Sequence, residues 1–528
     1  MALLRNFATV GAATMASRAL GFVRDMLLAG FIGAGPVADA FFVAFRLPNL
    51  FRRLFAEGAF NSAFVPLFAG ALETEGRDGA RLFAEQILAV LFWTLIGLTA
   101  LAQIAMPVLV YMLAPGFYDG PEKFDLTVLL SRIAFPYLLC MSLIAFLSGI
   151  LNTFGKFAAA ALAPVLLNVV MISALCVIGA AGFGSTPLSG MILAGGVALA
   201  GFVQLVLLVW AIRHDGFRLS LRRPRLTKNV KRLVTLGIPG VIAGGITQIN
   251  IMIGTIIASS QASAVSYLYY ADRVYQLPLG VVGIAIGVVL LPDLSRKLRA
   301  GNKQAVFDSQ NRSLEFSMAL TLPAAIALFA IAQEIIHVLF QRGAFDAADT
   351  IATAQALAAF AVGLPAFVLI KVFSPAFFAR EDTKTPMWFA GVSMVVNVAG
   401  SLLLFPVYGH VGIAVASSLA GWINALLLVG TLMRQDELRT DALLLKRLAL
   451  LLLASALMGA VVTFGAALAK PFLYHDLLFV RAAALTGLVG TGVVVFTGLC
   501  QITGAADFVM WLRKLKRPKK QDHAKETE

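Results

Sequence analysis

Between Ser17 and Phe60 the chain reads SRALGFVRDMLLAGFIGAGPVADAFFVAFRLPNLFRRLFAEGAF. Arg18, Arg24, Asp25, Asp39, Arg46, Arg52, Arg53 and Glu57 interrupt a stretch otherwise apolar enough to enter a bilayer. One charged side chain at the centre of a membrane helix costs roughly 2.5–3.5 kcal/mol on insertion scales. Several are tolerated together only where they face one another or a water-filled interior. Cations outnumber anions here, so the surplus charge suits an anionic guest. Arginine is well matched to phosphate, because its planar fork donates parallel hydrogen bonds and keeps its charge at any working pH. The stretch reads as the wall of a cationic cavity inside a membrane transporter.

On a straight helix, residues seven apart lie on nearly the same face. Ser17 therefore shares a stripe with Arg24, Arg18 with Asp25, Asp39 with Arg46, and Arg46 with Arg53. The wheel is broken past Pro48, so geometry does not rank Arg52 against Arg53. Later in the chain YYADRVYQLP sets Asp272 and Arg273 at the position matching Asp39, and Lys371 interrupts the apolar run 359–379. Plainer roles exist for some of these groups. Arg46, Arg53 and Glu57 can snorkel to the interface or pair together, while Asp25 and Asp272 each have an arginine as chain neighbour. Arg18, Arg24, Arg52 and Arg273 have too few carboxylates nearby to neutralise them, which makes them the leading candidates for binding an anion.

The elements that must position these groups are membrane helices. The 528 residues are 59% hydrophobic and only 13% charged, against about 25% charged in a soluble domain. Apolar runs long enough to span a core about 30 Å thick recur throughout, giving about fourteen expected spans from 7–33 through 478–503. The N-terminal run is too long and too charged for a cleaved signal and is expected to be a retained first span. The net charge of +14 is placed by topology rather than by nucleic-acid binding. Lys and Arg crowd the connections near 213–232, 296–312 and 434–447 and the tail 513–520, while 180–188, 259–263 and 406–411 have none. The positive-inside rule makes the basic connections cytoplasmic, and an even span count puts both termini on that side. The loop 213–232 and the tail serve topology first, with anionic lipid as a second reading. The three cysteines and five histidines show no disulfide or metal-ligand spacing, so no metal and no cofactor is expected.

An internal repeat organises the spans. Ala38-Asp39, Leu47-Pro48 and Val65-Pro66 are echoed by Ala271-Asp272, Leu277-Pro278 and Leu291-Pro292 at an initial offset of 233 residues. Pro136 precedes Asn168 by 32 residues, and Pro365 precedes Asn397 by the same distance, at an offset of 229. An offset spanning six helices implies two halves of like orientation. The expected fold is an all-α polytopic membrane protein with two pseudo-symmetric six-helix lobes and two further helices. Residues 1–225 form the N-lobe with its basic loop, 226–440 the C-lobe, 441–504 the final pair and 505–528 a basic tail.

The segments SRALGFVRD, ADAFFVAFRLPNLFRRLFAEGAFNSAFVP, APGF, FPY, ILNTFGKF, YYADRVYQLPLGVVGIAIGVVLLP and KTP resemble the MurJ (MviN) lipid II flippases of the multidrug/oligosaccharidyl-lipid/polysaccharide exporter superfamily. The resemblance covers about residues 1–505. It implies two lobes flanking a central cavity, and a substrate of undecaprenyl diphosphate bearing a disaccharide-pentapeptide, moved to the periplasmic leaflet of the bacterial inner membrane. It implies substrate-binding roles for Arg18, Arg24, Asp25, Asp39, Arg52 and Arg273, with Asp272 and Lys371 added from the reading above and Ser17, Arg53, Glu57 and Gln276 as secondary positions. Arg24, Arg52 and Arg273 are the implied diphosphate contacts, and spans 446–469 and 478–503 the implied groove for the polyprenyl tail. Lipid II, membrane lipids and cell-wall synthesis proteins are the implied partners, with no nucleic acid. Two departures stand out. Gln276 occupies a position where some relatives carry glutamate, and Gln248, Asn250, Asn397 and Ser401 stand where relatives with a sodium site supply carboxylates.

Three rival readings are weaker. A cation-coupled drug exporter would place carboxylates where arginines dominate. A glycosyltransferase or polymerase on the same lipid needs a catalytic acid or metal site, and no DxD, HExxH or nucleophile motif is present, so no enzyme is expected. A flippase for another polyprenyl-diphosphate sugar shares the same anionic group and stays open.

Overall fold

In the computed structural model, which describes residues 2–52 and 60–506, every long element is an α-helix. The first part of the chain forms α1 (Ala2–Ile32), α2 (Pro36–Arg52), α3 (Phe60–Leu113), α4 (Pro121–Ala134), α5 (Tyr137–Thr153), α6 (Ala158–Ala180) and α7 (Pro187–His214). There follow α8 (Lys228–Ala258), α9 (Ala264–Arg299), α10 (Lys303–Ala330), α11 (Ala332–Phe340), α12 (Ala347–Phe378), α13 (Lys384–Tyr408) and α14 (His410–Arg434). The last elements are α15 (Ala442–Leu468), the single turn α16 (Lys470–Leu473) and α17 (Leu478–Thr503). Among the described residues, ten helical stretches are long and apolar enough to cross a membrane. Backbone N–H and C=O groups find no water in a hydrocarbon core, so they must pair within the helix itself. The chain is a multi-pass helical membrane protein.

Local chemistry sets the helix ends. Pro36, Pro121 and Pro187 stand in the first turns of α2, α4 and α7, where a missing N–H costs nothing. Thr227, Asn302 and Asp441 accept hydrogen bonds from the backbone three residues on and start α8, α10 and α15. Gly504 closes α17 in the left-handed conformation. Breaks inside the expected spans have equally local causes. The expected span 126–152 is two helices that part at Phe135-Pro136, where proline supplies no donor. α3 is interrupted by Gly76 alone, with φ 70° and ψ −167°, a conformation open to glycine. Pro48 lies inside α2.

The helices sort into two compact units. The first contains residues 1–273, 339–356 and 394–416. Within it α1 packs on α6, α6 and α5 on α7, α2 on α4, and α3 on α5 and α8. Its core includes a cluster of phenylalanines, with Phe64 against Phe146 at 5.0 Å between ring centroids and Phe68 edge-on to Phe217. Beside that cluster the fully buried Glu85 of α3 accepts from the Ser220 hydroxyl at 2.6 Å, Arg222 Nε at 2.6 Å and Arg81 Nε at 3.1 Å. The basic loop after α7 is thereby fastened to α3. The second unit contains residues 274–338, 357–393 and 417–528. There α10 packs on α15 and α15 on α17, and Arg447 of α15 donates to both oxygens of Glu315 on α10 at 3.0 and 2.8 Å.

Candidate functional site

Three helices of the first unit bring charged groups together. α1 supplies Arg24 and Asp25, α6 supplies Asn168, and the opening turns of α9 supply Tyr269 and Arg273, one turn apart on one face. Arg24 donates to Asp25 Oδ1 through Nε at 3.0 Å and Nη2 at 2.8 Å, and to Asn168 Oδ1 through Nη1 at 3.1 Å. Asn168 is oriented in turn by the Ser17 carbonyl, 2.9 Å from its amide nitrogen, and the Ser17 hydroxyl at 3.3 Å. Arg273 Nε lies 3.2 Å from Asp25 Oδ2. Its Nη2 donates to the Tyr269 hydroxyl at 2.9 Å, and that hydroxyl donates to Asp25 Oδ1 at 3.2 Å.

Two guanidinium groups from different helices thus share one carboxylate, and the cluster keeps one net positive charge. Burial is uneven across it. The side chains of Arg24 and Asp25 are 9% and 3% exposed, whereas that of Arg273 is 35% exposed. Arg273 is therefore the member open to an incoming ligand. Removing one partner of a buried ion pair costs about 3–5 kcal/mol because it strands the other charge.

Asp39 occupies a different place. It is fully buried, and its carboxylate accepts from Lys123 Nζ at 2.7 Å, Ser263 N at 3.1 Å, Ser266 N at 2.9 Å and the Ser266 hydroxyl at 2.6 Å. It caps the N-terminus of α9, where exposed N–H groups and the helix dipole favour a negative charge. Close backbone contacts surround this cap. Ala344 N donates to Gly30 O at 2.9 Å, and Tyr270 donates to Gly33 O at 2.9 Å. A Cβ on Gly33 would come within 2.4 Å of Ala344 O.

The other sequence-selected residues are dispersed. Arg18 is exposed on α1, Arg46 is half-buried in α2, and Arg52 ends that helix. Asp272 is half-buried and Gln276 exposed on α9, and Lys371 is exposed on α12. Arg53 and Glu57 lie outside the described residues, as does the basic tail beyond 506. Asp25 pairs with its chain neighbour Arg24, and α1 is continuous through Arg18 and Asp25, so those two still share a face. Of the neutral positions considered for sodium, Asn397 donates to Asn250 Oδ1 at 2.8 Å. Among the described residues no group of three or more His, Cys, Asp or Glu side chains is placed to hold a metal ion.

Sequence reasoning did not select Tyr269, Asn168, Lys123 or Ser266. Tyr269 had a usable signal, since it stands four residues before Arg273 on a helix. Asn168 entered only as a landmark of the repeat. Asn168 and Asn397 each pair with a polar side chain of another helix, Arg24 on α1 and Asn250 on α8.

The fold is that of a known class. An inward-facing multidrug transporter described as a MATE family member of the MOP superfamily superimposes with a TM-score of 0.64 at 14% identity, over 80% of this chain and 95% of that one. A structure described as lipid II flippase MurJ in an inward closed conformation matches with a TM-score of 0.75 at 24% identity, covering 96% and 99% of the two chains. These likenesses show that the chain has the polytopic helical fold of membrane transporters of known structure. The family model "Lipid II flippase MurJ" matches residues 28–482. A Rhizobium tropici protein described as "Probable lipid II flippase MurJ" is 49% identical over 520 residues, 98% of this chain and 97% of its own. The chain belongs to the MurJ family.

Proposed function

We propose that the protein is a lipid II flippase, moving the undecaprenyl-diphosphate-linked peptidoglycan precursor from the cytoplasmic to the periplasmic leaflet of the bacterial inner membrane. The observation that carries this reading is the Arg24–Asp25–Arg273 cluster, with two guanidiniums on one carboxylate among membrane helices. A diphosphate offers more negative charge and more acceptor oxygens than Asp25, so it can exchange with the carboxylate on Arg273 and then on Arg24. Charge-assisted, forked hydrogen bonds favour phosphate over neutral sugar as the point of attachment. Arg18, Arg52, Asp39, Asp272 and Lys371 belong to this proposal as additional cavity residues, with Ser17, Arg53, Glu57 and Gln276 as secondary ones.

Translocation proceeds by alternating access of the repeated halves 1–225 and 226–440. The headgroup enters the wet interior from the cytoplasmic side, and the polyprenyl tail stays in lipid along the groove formed by α15 and α17. Both termini are cytoplasmic, consistent with the basic loop after α7. The chain moves its substrate without making or breaking a covalent bond. Family membership and the extent of identity with the Rhizobium tropici protein support this substrate.

Liposomes holding the purified chain test the substrate. Labelled lipid II is expected to pass between leaflets faster than in protein-free vesicles. Movement of another polyprenyl-diphosphate oligosaccharide without movement of lipid II would overturn the assignment.

A further inference from the structure

Asp25 and Arg273 are held unequally within the cluster, and one uncharged side chain accounts for the difference. Asp25 Oδ1 receives three hydrogen bonds, two from Arg24 and one from the Tyr269 hydroxyl. Asp25 Oδ2 faces Arg273 Nε at 3.2 Å, but the Nε–H is not aimed at it and has no hydrogen-bond acceptor among the described residues. Arg273 is instead anchored by Nη2 on the Tyr269 hydroxyl at 2.9 Å, and its guanidinium lies over the Tyr269 ring, 4.8 Å from the centroid. The ring itself has little freedom. It stacks on Phe42 at 3.8 Å with 24° between planes and meets Tyr270 edge-on at 5.7 Å.

From this geometry we infer that Tyr269 is the positioning residue of the headgroup site, holding Arg273 with donors free so that this arginine captures the diphosphate before Arg24 does. The inference rests on the flippase reading above. Arg24 is badly placed for the first contact, because its side chain is 9% exposed and three of its five N–H groups already donate to Asp25 or Asn168. Arg273 is more exposed, and its Nη1 has no hydrogen-bond acceptor among the described residues, while its Nε–H is buried beside Asp25. Without the tyrosine hydroxyl, Nη2 would turn toward Asp25 and close the fork on the carboxylate. The arginine would then be neutralised inside the cluster, and a phosphate would have to break a two-point ion pair to enter. The hydroxyl prevents this by accepting from Arg273 and donating to Asp25 at the same time. No covalent step or proton transfer is required.

Tyr269→Phe removes the hydroxyl and keeps the stacked ring, so it isolates the positioning role. In liposome translocation of lipid II, the half-saturating lipid concentration is expected to rise about tenfold, the size of one hydrogen bond to a charged group, while the maximal rate falls less than twofold. A purely structural role would do the reverse, lowering the maximal rate through loss of folded protein at unchanged half-saturation. Phe42→Leu, which loosens the stack and spares the hydroxyl, is expected to shift half-saturation in the same direction by a smaller factor. It serves as the readout if Tyr269→Phe does not fold. In an Arg273→Lys background the effect of Tyr269→Phe should shrink to less than twofold, because the fork it orients is gone.

Unchanged half-saturation in Tyr269→Phe, or, where that variant does not fold, in Phe42→Leu, would overturn the inference. A full tenfold effect persisting in the Arg273→Lys background would also overturn it, since Tyr269 would then act independently of the arginine. Should Arg273→Lys itself leave lipid II capture and movement unaltered, the flippase site fails first and Tyr269 with it. Impaired Arg273→Lys together with a silent Tyr269→Phe removes only the tyrosine.

Discussion

Asp25 is the most committed residue of the cluster. It is 3% exposed and balances guanidiniums on two helices, so its loss leaves two like charges facing each other in a low-dielectric interior. Asp25→Ala is expected to lower unfolding stability by about 3–5 kcal/mol, measured by thermal or denaturant unfolding in detergent. Arg273→Ala should cost less, because the removed side chain is 35% exposed and Asp25 keeps Arg24. Equal losses would mean that Arg273 is as deeply committed as Asp25. The sequence displayed every member of this group as a residue type, yet not their long-range pairing. Arg24 and Asn168 are 144 positions apart, and Asp25 and Tyr269 are 244 apart. Helical periodicity carries no information across such separations, and only the pairing of Asp25 with its chain neighbour Arg24 was within reach of the local sequence.

At the scale of elements, the start of α9 depends on a residue of α2. The Asp39 carboxylate receives backbone N–H groups from Ser263 and Ser266 together with the Lys123 ammonium. A helix end buried without such a partner leaves its first N–H groups unsatisfied. Asp39→Ala should therefore remove the cap and strand Lys123, at about 3–5 kcal/mol for the broken ion pair. Thermal unfolding checks the size, and Lys123→Met in the same background should recover part of the loss. No recovery would show that the cap alone matters. Pro121, Pro187, Thr227 and Asp441 give local start signals, but spans placed by apolar runs began several residues late at three of them. Boundaries were less readable at Gly76 and Pro136, where a short break inside a long apolar run leaves hydropathy almost unchanged.

For the molecule as a whole, hydropathy was enough to establish a multi-pass helical protein, because lipid leaves the backbone few alternatives. The two asparagines used as spacing landmarks differ in their partners: Asn168 reaches a charged arginine, and Asn397 reaches the neutral Asn250. The Asn168 contact therefore belongs to a charged cluster, and the Asn397 contact to an uncharged amide pair. This asymmetry was hidden while the asparagines were only markers of spacing. On the proposed function, the anionic headgroup is expected at Arg24 and Arg273.

The most direct measurement is lipid II translocation in liposomes by Arg24→Ala and Arg273→Ala, each compared with wild type at matched amounts of folded protein. Both substitutions are expected to reduce transfer between leaflets at least a hundredfold, while circular dichroism continues to report a helical chain. Normal transfer by both variants would contradict the assignment of the diphosphate to this cluster.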